Sequence, residues 1–176
     1  MKKLSKLFAG LLVLVFVLTA CSEEATVFEK EGMKLTMTGE FKESPMPGYT
    51  FAAETSDAGV LALKEGYAEY PDLNGISLDE YKQMIMTNNA QFELKEADVE
   101  GVVALEHTAP SAEGEGNLTF FTSLHQAPDG FWFLQFTCEE KDYEEYRPLF
   151  IDWSKKVEFK NADSGSTDQA EPSESK

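Results

Sequence analysis

The sequence is poor in cysteine, histidine and basic residues. Its 176 residues include two cysteines, two histidines and 15 lysines and arginines, against 32 aspartates and glutamates. The formal net charge at pH 7 is −17. Because proteins bind phosphate backbones and anionic lipid headgroups mainly through lysine and arginine, this balance disfavours nucleic acid as a partner.

Catalytic and metal-binding motifs are also missing from the sequence. It has no serine nucleophile elbow, no phosphate-binding glycine loop and no zinc-binding helix. His107 has no second histidine at ligand spacing. In the hairpin predicted below, Cys138 and His125 lie about 13 Å apart, whereas a nucleophile and its base need roughly 3 Å. We therefore predict no catalytic residue, no metal ligand and no enzymatic activity.

Two acidic segments leave weak calcium binding open. Residues 72–80 resemble a calcium loop, but the glycine stands at the fourth position and not at the sixth. Residues 139–145 carry five carboxylates, and negative charge stabilises the start of a helix through its macrodipole. A turn followed by a capped helix, and a solvated helix start, are the simpler interpretations of these segments.

The N-terminus has the pattern of an export signal. Lys2, Lys3 and Lys6 precede a 12-residue apolar segment, 7–18, which is too short for a spanning helix of roughly 20 residues. The segment ends in Leu-Thr-Ala-Cys at 18–21, which resembles the lipobox of bacterial lipoproteins. That resemblance implies a signal peptide over 1–20 and a covalent lipid on Cys21, including diacylglyceryl and a further acyl chain such as palmitate. An ordinary secretory signal is the alternative.

Removal of the signal would leave a strongly acidic protein with one free thiol. Residues 21–176 carry 12 basic and 32 acidic side chains, a formal charge of −20. We expect a lipidated tether over 21–31, a folded domain over 32–160 and a disordered acidic tail over 161–176. With Cys21 lipidated, Cys138 has no cysteine to pair with and is expected to be a small buried side chain.

Alternation of apolar and polar residues predicts most of the strands. A half-buried strand is expected at 33–37 and a hairpin at 49–55 and 60–67, with further strands at 92–96, 102–108, 118–125 and 131–138. Asp129-Gly130 is a two-residue turn signal that would place Phe121 opposite Cys138. Both faces of that last hairpin are apolar, so we expect a sheet covered by a layer on each side.

Two helices are predicted around these strands. Ser77 and Glu80 form a capping box, followed by a helix to about residue 89 that buries Leu78, Tyr81 and Ile85, with Met84 on the same side. The second helix covers 140–156 and presents an aromatic stripe. A proline at 148 predicts a kink there or two consecutive short helices.

Most of the predicted domain over 32–160, in which a capped helix follows a hairpin and further strands come next, resembles a known group of proteins. FWFLQFTC at 131–138, followed by DYEEYRPLFIDWSKKVEF at 142–159, is similar to bacterial lipoproteins of the PsbP/Mog1-like superfamily. The resemblance implies an α+β fold in which helices sandwich an antiparallel sheet. It also implies a binding function more than a catalytic one, although fold is a poor guide to function.

These observations favour a membrane-anchored, extracytoplasmic lipoprotein with a non-catalytic binding or accessory function. Its expected partners are the membrane, through the lipid, and an envelope protein or small ligand, and no cofactor is expected apart from that lipid. An envelope enzyme without a recognisable motif and a small solute-binding lipoprotein of a transporter are the alternatives. The aromatic side chains are most simply core, and a partner or ligand surface would use Trp132, Tyr143, Tyr146 and Trp153.

Overall fold

The computed structural model describes residues 25–112, 114 and 116–160. The predicted signal peptide, Cys21 and the predicted tail over 161–176 lie outside the described residues. Within those residues, no helix is long and apolar enough to cross a membrane.

An antiparallel sheet of seven strands forms the centre of the domain. Its strand order is β3-β4-β5-β9-β8-β7-β6. The seven strands are β3 (Lys42–Glu43), β4 (Phe51–Glu54), β5 (Ala58–Gly66), β6 (Lys95–Glu96), β7 (Val103–Pro110), β8 (Asn117–Ala127) and β9 (Gly130–Glu139). The predicted strands after residue 49 are therefore present, except that the one at 92–96 is reduced to two residues.

A smaller sheet and two helices cover the large one. The small sheet has the order β1-β2-β10, with β1 (Ala25–Lys30), β2 (Met33–Thr38) and β10 (Glu158–Phe159). The helices are α1 (Leu78–Asn88) and α2 (Tyr143–Lys155), and a 3₁₀ turn (Glu140–Asp142) leads into α2. The predicted α+β architecture, with helices on both sides of an antiparallel sheet, is confirmed.

The predicted tether over 21–31 is too long. Ala25–Lys30 forms β1 and pairs along its whole length with β2, from Ala25 opposite Thr38 to Lys30 opposite Met33. Phe28 is buried and anchors this strand in the core. The polar residues around Phe28 obscure the strand pattern in the sequence, and the folded domain starts before residue 32.

The central hairpin is buried on both faces, as predicted. One face packs Trp132 and Phe136 against Phe150 and Trp153 of α2, and the small sheet adds Leu35 to the same cluster. The other face packs Leu124 and Phe131 against Tyr81 of α1. The two layers therefore bury opposite faces of the same pair of strands.

The predicted register of this hairpin is wrong by two residues. Phe121 lies opposite Phe136, and Cys138 lies opposite Thr119, because the turn is made by residues 128 and 129. Gly130 belongs to β9 and faces Gly66 of β5. A Cβ at residue 130 would lie 2.5 Å from the Glu65 carbonyl oxygen, so glycine is required by a close approach of strands and not by a turn. A slip of two residues keeps each side chain on its predicted face.

Helix α1 begins at the predicted capping box. The Glu80 backbone N–H donates to Ser77 Oγ (3.2 Å), and the Ser77 backbone N–H donates to Glu80 Oε2 (2.8 Å). The Ser77 backbone N–H and the Ser77 hydroxyl both donate to the Glu80 carboxylate and hold the pKa of that carboxyl below its usual range. Tyr81 is buried as predicted, but Met84 is 42% exposed and does not share that side of the helix.

Two further predictions fail at the ends of the helices. After α1 the chain forms a 3₁₀ turn (Ala90–Phe92), and Glu93 has a left-handed backbone (φ 50°), which shortens the predicted strand at 92–96 to Lys95–Glu96. At the second helix, the division into two helical pieces falls after Asp142 and not at Pro148. Pro148 lies near the middle of α2, where the missing N–H removes one bond of the helix.

We predict that Gly130→Ala destabilises the domain by about 1–3 kcal/mol, because the added methyl group would collide with the backbone of β5. Gly114→Ala is the matched control, since nothing lies within 4 Å of a Cβ at that position. Urea unfolding of the two variants measures the difference. Equal stabilities would contradict the observed register of β9 against β5.

Burial of His125 predicts a loss of stability in mild acid. Burial lowers the pKa of His125 to about 4, whereas an unfolded histidine titrates near 6.5. Between these values the unfolded chain binds the additional proton, so stability falls as the pH drops from about 6.5 to about 4. The contribution is on the order of 1–3 kcal/mol. His125→Gln should flatten this part of the pH dependence in urea unfolding; an unchanged slope would contradict the assignment.

Candidate functional site

Helix α1 covers only part of its face of the large sheet. Tyr81 stacks on Phe131, with ring centroids 4.3 Å apart and planes inclined by 7°. The Tyr81 hydroxyl donates to Glu65 Oε2 (2.5 Å), which fixes the helix over this half of the face. Towards the other half, Phe120 and Phe133 remain only half-buried. The uncovered area is a groove beside the C-terminal end of α1.

This groove, which we call the sheet groove, encloses about 280 Å³. Phe120, Phe133 and Leu105 form its apolar floor, and Ile85 of α1 forms part of one wall. Polar side chains also line it: Asn89, His107, Thr122 and Gln135. An apolar hollow with a few polar groups is the usual character of a ligand-binding site, and this volume fits one aromatic or branched aliphatic side chain.

His107 lies where the sheet groove meets the edge of the sheet. Its ring stacks on Phe120 (4.5 Å between centroids, 9° between planes) and contacts Phe92 at 5.7 Å. Burial lowers the pKa of His107, so the ring is neutral at pH 7. Its Nδ1 atom is buried and has no hydrogen-bond partner among the described residues. The ring therefore serves as an uncharged aromatic surface in the groove.

A second hollow follows the outer edge of β7. This edge cleft encloses about 690 Å³ and shares Phe92, His107 and Ala109 with the sheet groove. It exists because, in the part of the chain that the structure describes, β6 pairs with β7 through Lys95 and Glu96 and no described strand pairs with the outer edge of the end of β7. The turn after α1 forms one wall, and the N-terminal end of α2 with its preceding 3₁₀ turn forms the other.

The backbone of β7 in the edge cleft has a defined direction. The Ala97 N–H donates to the Ala104 carbonyl (2.9 Å), and Lys95 lies opposite Glu106. In an antiparallel ladder the backbone groups of alternate residues point to the same side. The backbone N–H and C=O of Thr108 therefore point away from β8, like those of Ala104 and Glu106. The residue that would continue β6 opposite Thr108 is Glu93, whose left-handed backbone turns the chain away.

The edge cleft is acidic. Its lining contains the carboxylates of Glu93, Glu106, Glu140 and Glu144, and Lys95 is the one basic residue among the described lining residues. The Glu106 carboxylate accepts a hydrogen bond from Arg147 Nε (2.8 Å) and is thereby neutralised in part. Next to this pair, burial and the Glu106 carboxylate raise the pKa of Tyr143.

The aromatic residues that the sequence suggested for a partner surface do not form one. Trp132 and Trp153 are 0% and 1% exposed and belong to the core, so this part of the prediction is wrong. The aromatic residues of α2 recur at helical spacing because they lie on the face of the helix that packs against the core. Tyr143 is half-buried and lines the edge cleft, whereas Tyr146 lines a separate hollow near Asp57. Cys21 lies outside the described residues.

Sequence reasoning missed Phe92, His107 and Thr108 as site residues. Phe92 is 45% exposed, although its sequence neighbourhood predicted a strand. The sequence signal that could have indicated an exposed ring is a large apolar side chain next to the asparagines and glutamine at 88–91. Thr108 has no distinguishing sequence feature, because its importance depends on which strand ends beside it.

The two chemically reactive side chains are far apart. Cys138 lies opposite Thr119 and His125 lies opposite Trp132, which places them six residues, or about 20 Å, apart along the strands. Burial, with the charges of Asp142 and Glu139, raises the pKa of the Cys138 thiol to about 11. Across the described part of the chain, no histidine, cysteine, aspartate and glutamate side chains are grouped in threes so as to hold a metal ion.

Comparisons with known proteins give the fold alone. No protein-family model matches the chain, and no curated protein matches it. The solution structure of cyanobacterial PsbP (CyanoP) from Synechocystis sp. PCC 6803 is similar, with a TM-score of 0.50 and 10% identity over 81% of this chain and 96% of that one. PA94 of Pseudomonas aeruginosa, a protein of unknown function, has a TM-score of 0.44 and 9% identity over 78% and 98%. The domain therefore has a PsbP-like fold.

Proposed function

We propose that this chain is an exported, lipid-anchored binding protein of the bacterial cell envelope, with a non-catalytic function. The observation that supports a binding function most directly is the sheet groove opening into the edge cleft. It combines an apolar hollow with an uncovered strand edge, which is a surface for holding a partner. The distance between Cys138 and His125 offers no support for a nucleophile and its base.

The lipid anchor in this proposal rests on the N-terminal sequence. Three residues separate Cys21 from the first residue of β1, so at most about 14 Å of chain would join the lipidated residue to the domain. Acyl chains contribute roughly 0.8 kcal/mol per buried methylene, and two chains are enough for stable anchoring. An acidic domain can therefore be held at an acidic membrane without a basic patch.

We predict that Cys21→Ala in the full chain, expressed in a bacterial host, leaves an uncleaved precursor without lipid. The wild-type chain should partition into the detergent phase after Triton X-114 extraction and carry the mass of a lipidated residue 21. Ser22→Ala is the control, since this residue is not the acceptor, and it should behave as the wild type. A processed, lipid-bearing Cys21→Ala chain would contradict the anchor.

The binding function predicts a protein contact at Phe92 in intact cells. A photo-crosslinking phenylalanine analogue in place of Phe92 should give a discrete adduct on irradiation, because this exposed ring lies between the sheet groove and the edge cleft. The same analogue in place of Tyr70 is the control, since Tyr70 is 49% exposed and lines neither hollow. Absence of a Phe92 adduct, or equal adducts at both positions, would contradict partner binding at this site.

A further inference from the structure

We propose that the edge cleft binds an extended segment of a partner protein as an additional antiparallel strand on β7, and that this segment alternates basic and apolar side chains. The proposal rests on the binding function proposed above and specifies its ligand. The edge cleft is a slot between two walls, and its base is the bare end of β7, with Thr108 and Pro110 both exposed.

Backbone hydrogen bonds would fix the position of the segment. The Thr108 N–H and C=O point away from β8, into the place that β6 leaves empty, and the Pro110 carbonyl points the same way. Proline has no N–H, so the pairing is limited to about three backbone bonds. A short edge of this kind supports weak, reversible strand addition, and side-chain contacts must supply the rest of the affinity.

The alternation of side chains follows from the ladder. A residue directly opposite Thr108 places its side chain on the face of the sheet that α2 covers, close to Glu140 and Glu144. Residues opposite His107 and Ala109 place their side chains on the other face, towards Phe92 and the sheet groove. The first position therefore fits lysine or arginine, and the two flanking positions fit apolar residues.

Charge argues against two occupants that this chain could supply, its C-terminal segment and a second copy. The segment 161–176 contains four carboxylates, one lysine and no aliphatic residue larger than alanine, so it is repelled by the acidic wall and cannot fill the sheet groove. Two copies pairing through β7 would bring the Glu140 and Glu144 carboxylates of one copy towards those of the other. A basic and apolar segment of another protein is the complementary occupant.

Fluorescence anisotropy tests the proposal with the full chain in detergent at 0.15 M salt. The probe is a labelled heptapeptide, Lys-Val-Lys-Phe-Lys-Val-Lys. A peptide of the same composition with its four lysines consecutive has the same charge and should bind at least about tenfold more weakly. Equal affinity of the two peptides would show general electrostatic attraction to an acidic protein and would overturn the proposal.

Backbone methylation tests the strand pairing itself. In the proposed register the lysine amides point towards β7 and the apolar amides point away, so N-methylation of two central lysine amides should weaken binding at least tenfold. N-methylation of two apolar amides in the same peptide should change the affinity less than about threefold. Equal losses, or the reverse order, would overturn antiparallel addition to β7.

Paired variants test the two kinds of side-chain contact. Glu140→Gln combined with Glu144→Gln should weaken binding about tenfold, whereas Glu139→Gln combined with Glu145→Gln changes the net charge equally outside the edge cleft and should not. Phe92→Ala should weaken binding, and Met46→Ala, which truncates a similarly exposed side chain outside both hollows, should not. Unchanged melting temperatures show that the variants are folded.

The outcomes separate this inference from the function on which it rests. A discrete Phe92 adduct in cells together with failure of the peptide series overturns the strand-addition proposal and leaves the binding function in place. Loss of the Phe92 adduct overturns the binding function at this site as well. Binding that survives in all the edge-cleft variants would also overturn the inference.

Discussion

The structure depends on one constraint, which is that the β8–β9 hairpin carries large apolar side chains on both of its faces. Phe121 and Phe136 lie opposite each other on one face, and Leu124 and Phe133 lie opposite each other on the other. Water must be excluded from both faces, so two separate layers are needed. Helix α2 and the small sheet supply one layer, and α1 supplies the other.

The two layers are unequal, and the candidate site is the consequence. Helix α2 acts together with three strands, whereas the other face of the sheet is covered by the 11 residues of α1 and by connecting segments that add the buried Leu73. Where α1 ends, the left-handed backbone of Glu93 turns the chain away, and β6 has only two residues left to pair with β7. An apolar groove and an unpaired strand edge therefore occur at the same place. Their combination supports a binding function for a domain whose core is otherwise well packed.

Local sequence signals predicted the parts of the fold that depend on neighbouring residues. Ser77 and Glu80 cap α1 because a capping box needs only four consecutive positions, and strand alternation predicted the two covered faces. The predicted register of the hairpin was wrong because Gly130 is required by its close approach to Gly66, which is distant in sequence, and not by the neighbouring turn. The site was missed for the same reason. Thr108 and Phe92 line the candidate site because β6 ends beside them, and no local sequence pattern predicts where β6 ends.

The central claim is that the end of β7 is open and that its Thr108 backbone is available to a partner. Hydrogen exchange of the free chain, followed residue by residue by NMR, tests it most directly. The backbone N–H and C=O of His107 point towards β8, where Phe120 lies opposite. Those of Thr108 point away from β8, towards the edge of the sheet. We expect the Thr108 amide to exchange at least about tenfold faster than the His107 amide. Equal protection of the two amides would show that the edge is covered and would contradict the account.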